Sequence, residues 1–211
     1  MIKVILTDDH PMVRRGVRMT LEGDAGLRIV AEAGSGAQLM DVLAITEADV
    51  LVLDVSLPDR SGMDLLKDVK ARWPDLGVLI YTRFPENQYA VRALKAGAPG
   101  FLNKSCDPAD LIVAIRKIAE GGTYVSAQVG EVLSAELRRQ NPQRTHADLS
   151  DRELQIFGLL VAGKSPTEIA EQLSLSVKTV SAHRGRIVDK LGVESLAGLV
   201  RYALENKLEF D

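Results

Sequence analysis

Four short apolar runs in the first half of the chain each lead to residues that could do chemistry. Val50 to Leu53 ends at Asp54, and Val4 to Leu6 leads past Thr7 to Asp8 and Asp9. Gly77 to Tyr81 ends at Thr82, and Gly100 to Leu102 leads past Asn103 to Lys104. Three carboxylates brought into one crevice repel one another strongly unless a cation sits among them. Ligands that are all oxygen favour a hard ion such as Mg²⁺, which keeps several waters and often bridges to phosphate. A carboxylate held beside such an ion can attack a phosphoryl group and form an acyl phosphate. That chemistry needs mostly positioning and charge stabilisation. Asp54 is then the nucleophile, and Asp8 and Asp9 hold the metal. Thr82 offers a hydroxyl donor and Lys104 a point positive charge for the phosphoryl oxygens. Taken singly, each has a plainer reading. Asp54 can merely end a strand, Asp8-Asp9 before His10-Pro11 can be a helix N-cap, Thr82 an edge residue and Lys104 a solvated one. Their joint occurrence at strand ends, in the right order, favours the site.

The elements that must position these residues alternate. Val50 to Leu53 is unbroken apolar sequence with two β-branched residues, the pattern of a strand buried on both faces of a parallel sheet. Strands are expected at Val4 to Leu6, Leu27 to Ala31, Val50 to Leu53, Gly77 to Tyr81 and Gly100 to Leu102. Helices are expected from Pro11 to about Gly23, Ala37 to Thr46, Met63 to Trp73, Pro85 to about Ala96, and onward from Asp107-Pro108. The alternation argues a five-stranded doubly wound parallel sheet with right-handed crossovers. In the order 2-1-3-4-5, ligands bind beyond the carboxyl ends of the strands, at the switch point. Asp54 is therefore expected on a rigid element with its carboxylate facing solvent.

Composition sets outer bounds. At 211 residues the chain holds one large domain or two small ones. A net charge of −3 gives no global sign of nucleic-acid binding, so any such site must be a local patch. Cys106 is the only cysteine, which excludes an intrachain disulfide and suits a reducing cytosol. The apolar run at the N-terminus is too short for a signal peptide or a membrane span, and a cytoplasmic protein with no membrane partner is expected. His10, His146 and His183 lack metal-like spacing to another His or Cys.

Beyond the α/β pattern, Val125 to about Arg139 reads as an extra helix. The polar stretch Arg138 to Asp148, with Pro142, reads as a linker in which His146 is solvated. Ser150 and Glu153 fit a capping box that opens a helix to Ala162. Lys164-Ser165-Pro166 reads as a turn, Thr167 to Leu173 as a short helix, Val177 to Leu191 as a longer one, and Glu194 to about Lys207 as a last one. Two helices around a tight turn, the second carrying Lys178, Arg184, Arg186 and Lys190, read as a helix-turn-helix. From charge alone a solvated basic face remains open.

The motifs narrow both readings. D-D-H-P near the start, L-D-V-S-L-P-D-R-S-G in the middle, Y-T after the fourth strand and G-F-L-N-K after the fifth resemble a response-regulator receiver domain over residues 1 to about 120. The resemblance implies that Asp54 takes phosphate from the phosphohistidine of a sensor histidine kinase. It implies that Asp8 and Asp9 hold Mg²⁺ together with the backbone carbonyl of Ser56, and that Phe101 is the aromatic switch that rotates inward with Thr82. Two positions depart from the pattern. Arg83 stands where a small or apolar residue is usual, placed to shield or to stabilise the phosphoryl group, and Asn103 stands where an apolar residue is common.

L-S-D-R-E, E-I-A and S-V-K-T-V-S-A-H followed by K-L-G-V resemble the LuxR-type four-helix DNA-binding domain over about residues 147 to 208. The whole chain is thus similar to the NarL/FixJ transcriptional regulators. The expected organisation is a receiver at 1–121, a connecting helix and linker at 122–146, and an all-α DNA-binding domain at 147–211. By the same resemblance Lys178, Thr179 and His183 face the DNA backbone, and Ser181, Ala182 and Gly185 fall where base edges are read. These three are small and make few bidentate contacts, so Arg184, Arg186 or DNA shape must carry the readout. Leu196, Val200 and Leu204 of the last helix are the expected dimer contact. Double-stranded DNA, a second copy and a sensor kinase are the expected partners, and RNA polymerase is a further one the family admits. The expected protein is no enzyme beyond self-phosphorylation at Asp54 and slow autodephosphorylation. Two rivals stand beside this reading. A phosphatase of the haloacid-dehalogenase type needs a second Asp two residues after the first, where this chain has Ser56. A DNA-binder that ignores phosphorylation would use the receiver only to dock partners.

Overall fold

The computed structural model describes residues 1–138, 146–193, 195–206, 208 and 210. It divides into two compact units, Met1–Leu133 and Ser134–Asp211. Among the described residues no helix is long and apolar enough to cross a membrane.

The first unit alternates β1 (Ile2–Thr7), α1 (Pro11–Glu22), β2 (Leu27–Ala33), α2 (Gly36–Ile45), β3 (Val50–Leu53), α3 (Gly62–Arg72), β4 (Gly77–Thr82), α4 (Glu86–Lys95), β5 (Gly100–Asn103) and α5 (Pro108–Ala119). All pairings are parallel, in the order β2-β1-β3-β4-β5. Side chains alternate between the faces of such strands. Val4, Leu6, Val50, Val52 and Leu79 pack with Val17 and Leu21 of α1 and Leu111, Ile115 and Ile118 of α5. Ile5, Leu51, Leu53, Val78 and Ile80, the intervening residues, are equally buried. Strand ends are therefore fixed from both faces. Thr7 is level with Leu53 and Leu53 with Ile80, while Thr82 pairs with Asn103. The polar residues that follow emerge along one edge.

Helix starts follow from local chemistry. Pro11 and Pro108 stand at first-turn positions, where a missing N–H costs nothing. Ser35, Ser61 and Asp107 accept from the backbone N–H of Gln38, Met63 and Ala109. Beyond α5 the structure departs from the expected helix at Val125. Tyr124 forms a parallel bridge to Gly100, donating its N–H to Pro99 O at 2.9 Å and accepting from Phe101 N at 3.3 Å. Helix α6 (Ala127–Arg138) starts only afterwards, with Ser126 Oγ accepting from Val129 N. Of the expected linker, residues 139–145 lie outside the described residues.

The second unit holds α7 (Asp151–Val161), α8 (Pro166–Gln172), α9 (Val177–Leu191) and α10 (Leu196–Glu205) around Leu154, Ile156, Phe157, Ile169, Val180, Ile187 and Leu199. Two expectations are corrected here. Lys164-Ser165-Pro166 is not wholly a turn, because Ser165 and Glu168 form a second capping box with Pro166 at the first helical position. His146 is not a solvated linker residue. It opens a 3₁₀ turn, His146–Asp148, its N–H donates to Tyr202 Oη at 3.0 Å, and its ring lies edge-on to Tyr202. The last helix starts at Leu196 behind a Ser195 cap, while Glu194 and Lys207 lie outside the described residues.

Candidate functional site

The edge formed by β1, β3, β4 and β5 collects the acids. Asp54 N donates to Thr7 O at 2.9 Å, which places Asp54 beside Asp8. Ligand atoms of Asp8, Asp9, His10 and Asp54 all lie within 4.8 Å of one another. Lys104 Nζ bridges two of the carboxylates, 2.5 Å from Asp8 Oδ2 and 2.7 Å from Asp54 Oδ2. Asp8, Asp54 and Thr82 are buried and the Lys104 side chain nearly so.

Asp54 therefore does not face solvent as expected, being only 2% exposed. The strand end does point to the crevice, but the ammonium of Lys104 lies against one carboxylate oxygen, and Ser56 N donates to the other at 3.2 Å. Isolated buried anions are costly, so the fold brings a cation and an N–H to this one.

The donor set fits a hard divalent cation. Asp8 Oδ2 and Asp9 Oδ1 are shielded from solvent and accept no well-directed hydrogen bond. Lys104 Nζ lies beside the Asp8 oxygen and His10 Nδ1, at 2.6 Å, beside the Asp9 oxygen. Asp8, Asp9 and Asp54 would hold the ion, which would neutralise charge on phosphate oxygens. Asp8 is itself fixed through its other atoms. His10 N donates to its Oδ1 at 2.8 Å, and Arg14 Nη1 donates to its backbone carbonyl at 2.6 Å while Nε pairs with Glu32.

Around this centre the remaining candidates are distributed as follows. Thr82 pairs with Asn103 at the edge of β4 and accepts, at 3.5 Å, from Phe84 N. Phe101 is fully buried. Arg83 is exposed, whereas the Asn103 amide reaches two carbonyls of the β4–α4 loop. Sequence reading missed His10, Arg14 and Asp59. Asp59 accepts from Gly36 N and Ala37 N, both at 2.8 Å, and so pins the β3–α3 loop to the start of α2. Burial opposes the charge on Asp59, but these N–H groups outweigh it and hold the carboxyl below its ordinary range. No local signal gives that contact, since the partners are more than 20 residues away.

In the second unit α9 presents Lys178, Ser181, Ala182, Arg184, Gly185 and Arg186 to solvent, with Thr179 and His183 half-buried. Ser176 Oγ caps its first turn, and Gly192, in the left-handed region at φ 66°, ends it. Leu196 and Leu204 of α10 are exposed, and Val200 lies half-buried between them at helical spacing. Lys190 is turned inward, 2.6 Å from Glu153, whose side chain is only 4% exposed. Burial of His183, with Arg186 beside it, holds its imidazole below its ordinary value.

Comparison with known proteins decides the family. Residues 4–116 match the response regulator receiver domain, and residues 147–203 match the bacterial regulatory proteins of the luxR family. The chain belongs to the NarL/FixJ response regulators. It is accordingly a phosphorylation-controlled, DNA-binding regulator of transcription. Among relatives of this regulator, UvrY of Escherichia coli K12 is 33% identical over 211 residues, spanning 99% of this chain and 96% of the relative. The oxygen regulatory protein NreC of Staphylococcus epidermidis RP62A is 35% identical over 215 residues, spanning 98% and 99%. A solved structure of RcsB from Salmonella enterica serovar Typhimurium, bound to the promoter rprA in the presence of the phosphomimetic BeF₃⁻, is similar with TM-score 0.67 and 28% identity over 95% of this chain and 97% of that one.

The Glu153–Lys190 pair gives the regulator's second unit a pH-dependent component. Burial alone would raise the Glu153 carboxyl. Hydrogen bonds from Lys190 and from the Ser150 N–H and hydroxyl outweigh it and hold the carboxyl below its ordinary 4.5. A carboxyl depressed by folding stabilises fully above its unfolded value and loses that contribution as pH falls through the folded one. Thermal unfolding of the full chain should show this unit weakening below about pH 4.5. Glu153→Gln should lose about 1–3 kcal/mol at pH 7 and flatten that acid limb.

Proposed function

We propose that Asp54 is the phosphoacceptor of a sensor histidine kinase. The P–N bond of the phosphohistidine breaks, an Asp54 oxygen forms the new P–O bond, and the imidazole keeps the electron pair and takes a proton. Asp8, Asp9, Asp54 and the Ser56 carbonyl hold Mg²⁺, and Thr82 and Lys104 receive the phosphoryl oxygens. The observation that carries this reading is the convergence of Asp8, Asp9 and Asp54, with ligand atoms within 4.8 Å, beneath one bridging lysine. The receiver spans 1–121, the connecting segment 122–146 and the DNA-binding domain 147–211. Hydrolysis of the acyl phosphate at Asp54 is the only turnover, and the protein works in the cytoplasm.

Phosphorylation biases a two-state receiver through Thr82 and Phe101. The active form is a dimer on double-stranded DNA with two half-sites. Lys178, Thr179 and His183 face phosphates, Ser181, Ala182 and Gly185 lie against base edges, and Arg184 and Arg186 supply the longer reach. Leu196, Val200 and Leu204 form the dimer contact. The exposure of Leu196 and Leu204 supports this, as does RcsB having been solved as two dimers bound to two parallel DNAs.

Intact-mass measurement with acetyl phosphate and Mg²⁺ tests the assignment. The wild-type chain should gain one phosphoryl group and Asp54→Asn none, and full labelling of that variant overturns it. DNA affinity and mass in solution, at fixed salt, test the output. A dimer that binds more tightly is expected. Unchanged affinity after full phosphorylation would favour a receiver used only for docking.

A further inference from the structure

We propose that Asn103 is a positioning residue that fixes Thr82 relative to Lys104 by bolting the β4–α4 loop to the β5–α5 loop. The inference rests on the reading of Thr82 and Lys104 as holders of the phosphoryl group.

The two loops leave the sheet from paired positions. Thr82 is level with Asn103, and Lys104 N donates to Thr82 O at 2.8 Å. Beyond that bond the chain at Arg83 and Phe84 has no strand partner, and α4 does not begin until Glu86. The carbonyls of Arg83 and Phe84 precede the helix and so cannot accept its first bonds. Phe84 N reaches Thr82 Oγ1 only at 3.5 Å, the weak limit of a hydrogen bond. The Asn103 side chain supplies what the backbone lacks. Its Nδ2 donates to Arg83 O at 3.3 Å and to Phe84 O at 3.2 Å. Its Oδ1 accepts from Ser105 N at 2.8 Å and from Ser105 Oγ at 2.6 Å.

The orientation of this amide is determined by its partners. Ser105 N can only donate, so Oδ1 must face Ser105 and Nδ2 must face the two carbonyls. One planar group thus spans both loops and uses all its donors and acceptors on backbone and on Ser105. An apolar residue, common at this position, could hold neither carbonyl. A second restraint comes from the Phe84 ring, which stacks on the fully buried Tyr89 with centroids 4.5 Å apart. Between the two restraints, the loop that carries Thr82 has little freedom, and Lys104 sits between Asn103 and Ser105. Donors held in place before the charge arrives bind it better than donors that must be gathered.

Calorimetric titration of the full chain with beryllofluoride at saturating Mg²⁺ tests the proposal, alongside hydrogen exchange of the 83–86 segment in protein without either. Asn103→Leu should raise the half-saturating beryllofluoride concentration about tenfold, the loss expected for two hydrogen bonds. Its Mg²⁺ affinity should stay within about twofold, since Asp8, Asp9 and Asp54 are untouched, and the 83–86 amides should exchange faster. Ser105→Ala, which leaves the Nδ2 bonds in place and removes one support, should give a smaller shift of the same sign; it carries the test if Asn103→Leu does not fold. Wild-type affinity retained in both variants, with or without faster loop exchange, overturns the positioning role. Failure of the wild-type chain to bind beryllofluoride instead overturns the reading of the Asp54 site.

Discussion

Gly62→Ala is expected to weaken the receiver by about 3 kcal/mol or more and to slow phosphorylation of Asp54 by about 100-fold. The reason is a backbone contact. A Cβ built on Gly62 would lie 2.1 Å from the carbonyl oxygen of Asp54 and 2.7 Å from Val55 Cα. Neither neighbour is the yielding end of a side chain. Gly62 N donates to Val55 O at 2.9 Å, so α3 starts pressed against the peptide that carries Asp54. To admit a methyl group, either α3 must retreat or Asp54 must move. Retreat disturbs Met63, Leu65 and Leu66, all fully buried. Movement displaces a carboxylate fitted to Lys104 at 2.7 Å. Gly16→Ala is the matched control. Gly16 lies in α1 with nothing within 4 Å of an added Cβ, and there the substitution should stabilise by about 0.5–1 kcal/mol. Thermal unfolding and the rate of labelling by acetyl phosphate, measured on both variants, check the pair. Equal behaviour of the two would remove the close-packing argument.

Gly62 also shows what kind of information the sequence holds. Its place in a loop motif is visible, but the distance to Asp54 O is a tertiary fact with no local signature. The strand ends are different. Val50 to Leu53 and Gly77 to Tyr81 are apolar runs long enough to be buried on both faces, so the edge bearing Asp54 and Thr82 could be read directly. Capping was legible where it was local. Ser150 with Glu153 is visible as S-x-x-E spacing, and Ser165 with Glu168 carries the same spacing. What Glu153 does beyond its cap is not visible there, since Lys190 is 37 residues away. Asp59 on the start of α2 is hidden for the same reason. Arg14 is near Asp8 in sequence, but its bond to Asp8 O joins a strand end to a helix and has no local pattern. Asn103 could be seen to depart from the pattern, yet only coordinates show its amide between two loops. The place of His146 is not legible in sequence, because a polar neighbourhood says nothing of Tyr202, 56 residues on.

Lys104→Met is expected to destabilise the receiver by about 3–5 kcal/mol at neutral pH without divalent metal, the cost of breaking a buried ion pair from one side. Lys104 is the cation between Asp8 and Asp54, and its side chain is 8% exposed. Methionine fills much the same volume, so packing changes little and the loss reports charge. Two carboxylates whose ligand atoms lie within 4.8 Å of each other then face one another with the bridging ammonium gone. Their repulsion is poorly screened inside a protein. Two measurements separate this account from a general loss of fit. Mg²⁺ should raise the unfolding temperature of Lys104→Met by more than that of the wild-type chain, because the ion supplies the missing positive charge and binds only the folded state. Adding Asp54→Asn to Lys104→Met should return much of the lost stability, because one of the two opposed charges is then gone. In a double-mutant cycle the two changes must couple, with the pair costing clearly less than the sum. Additive losses, or equal responses to Mg²⁺, would mean that Lys104 holds the site by packing alone. Its place beside Asp54 would then bear on phosphoryl binding and not on keeping the acidic cluster assembled.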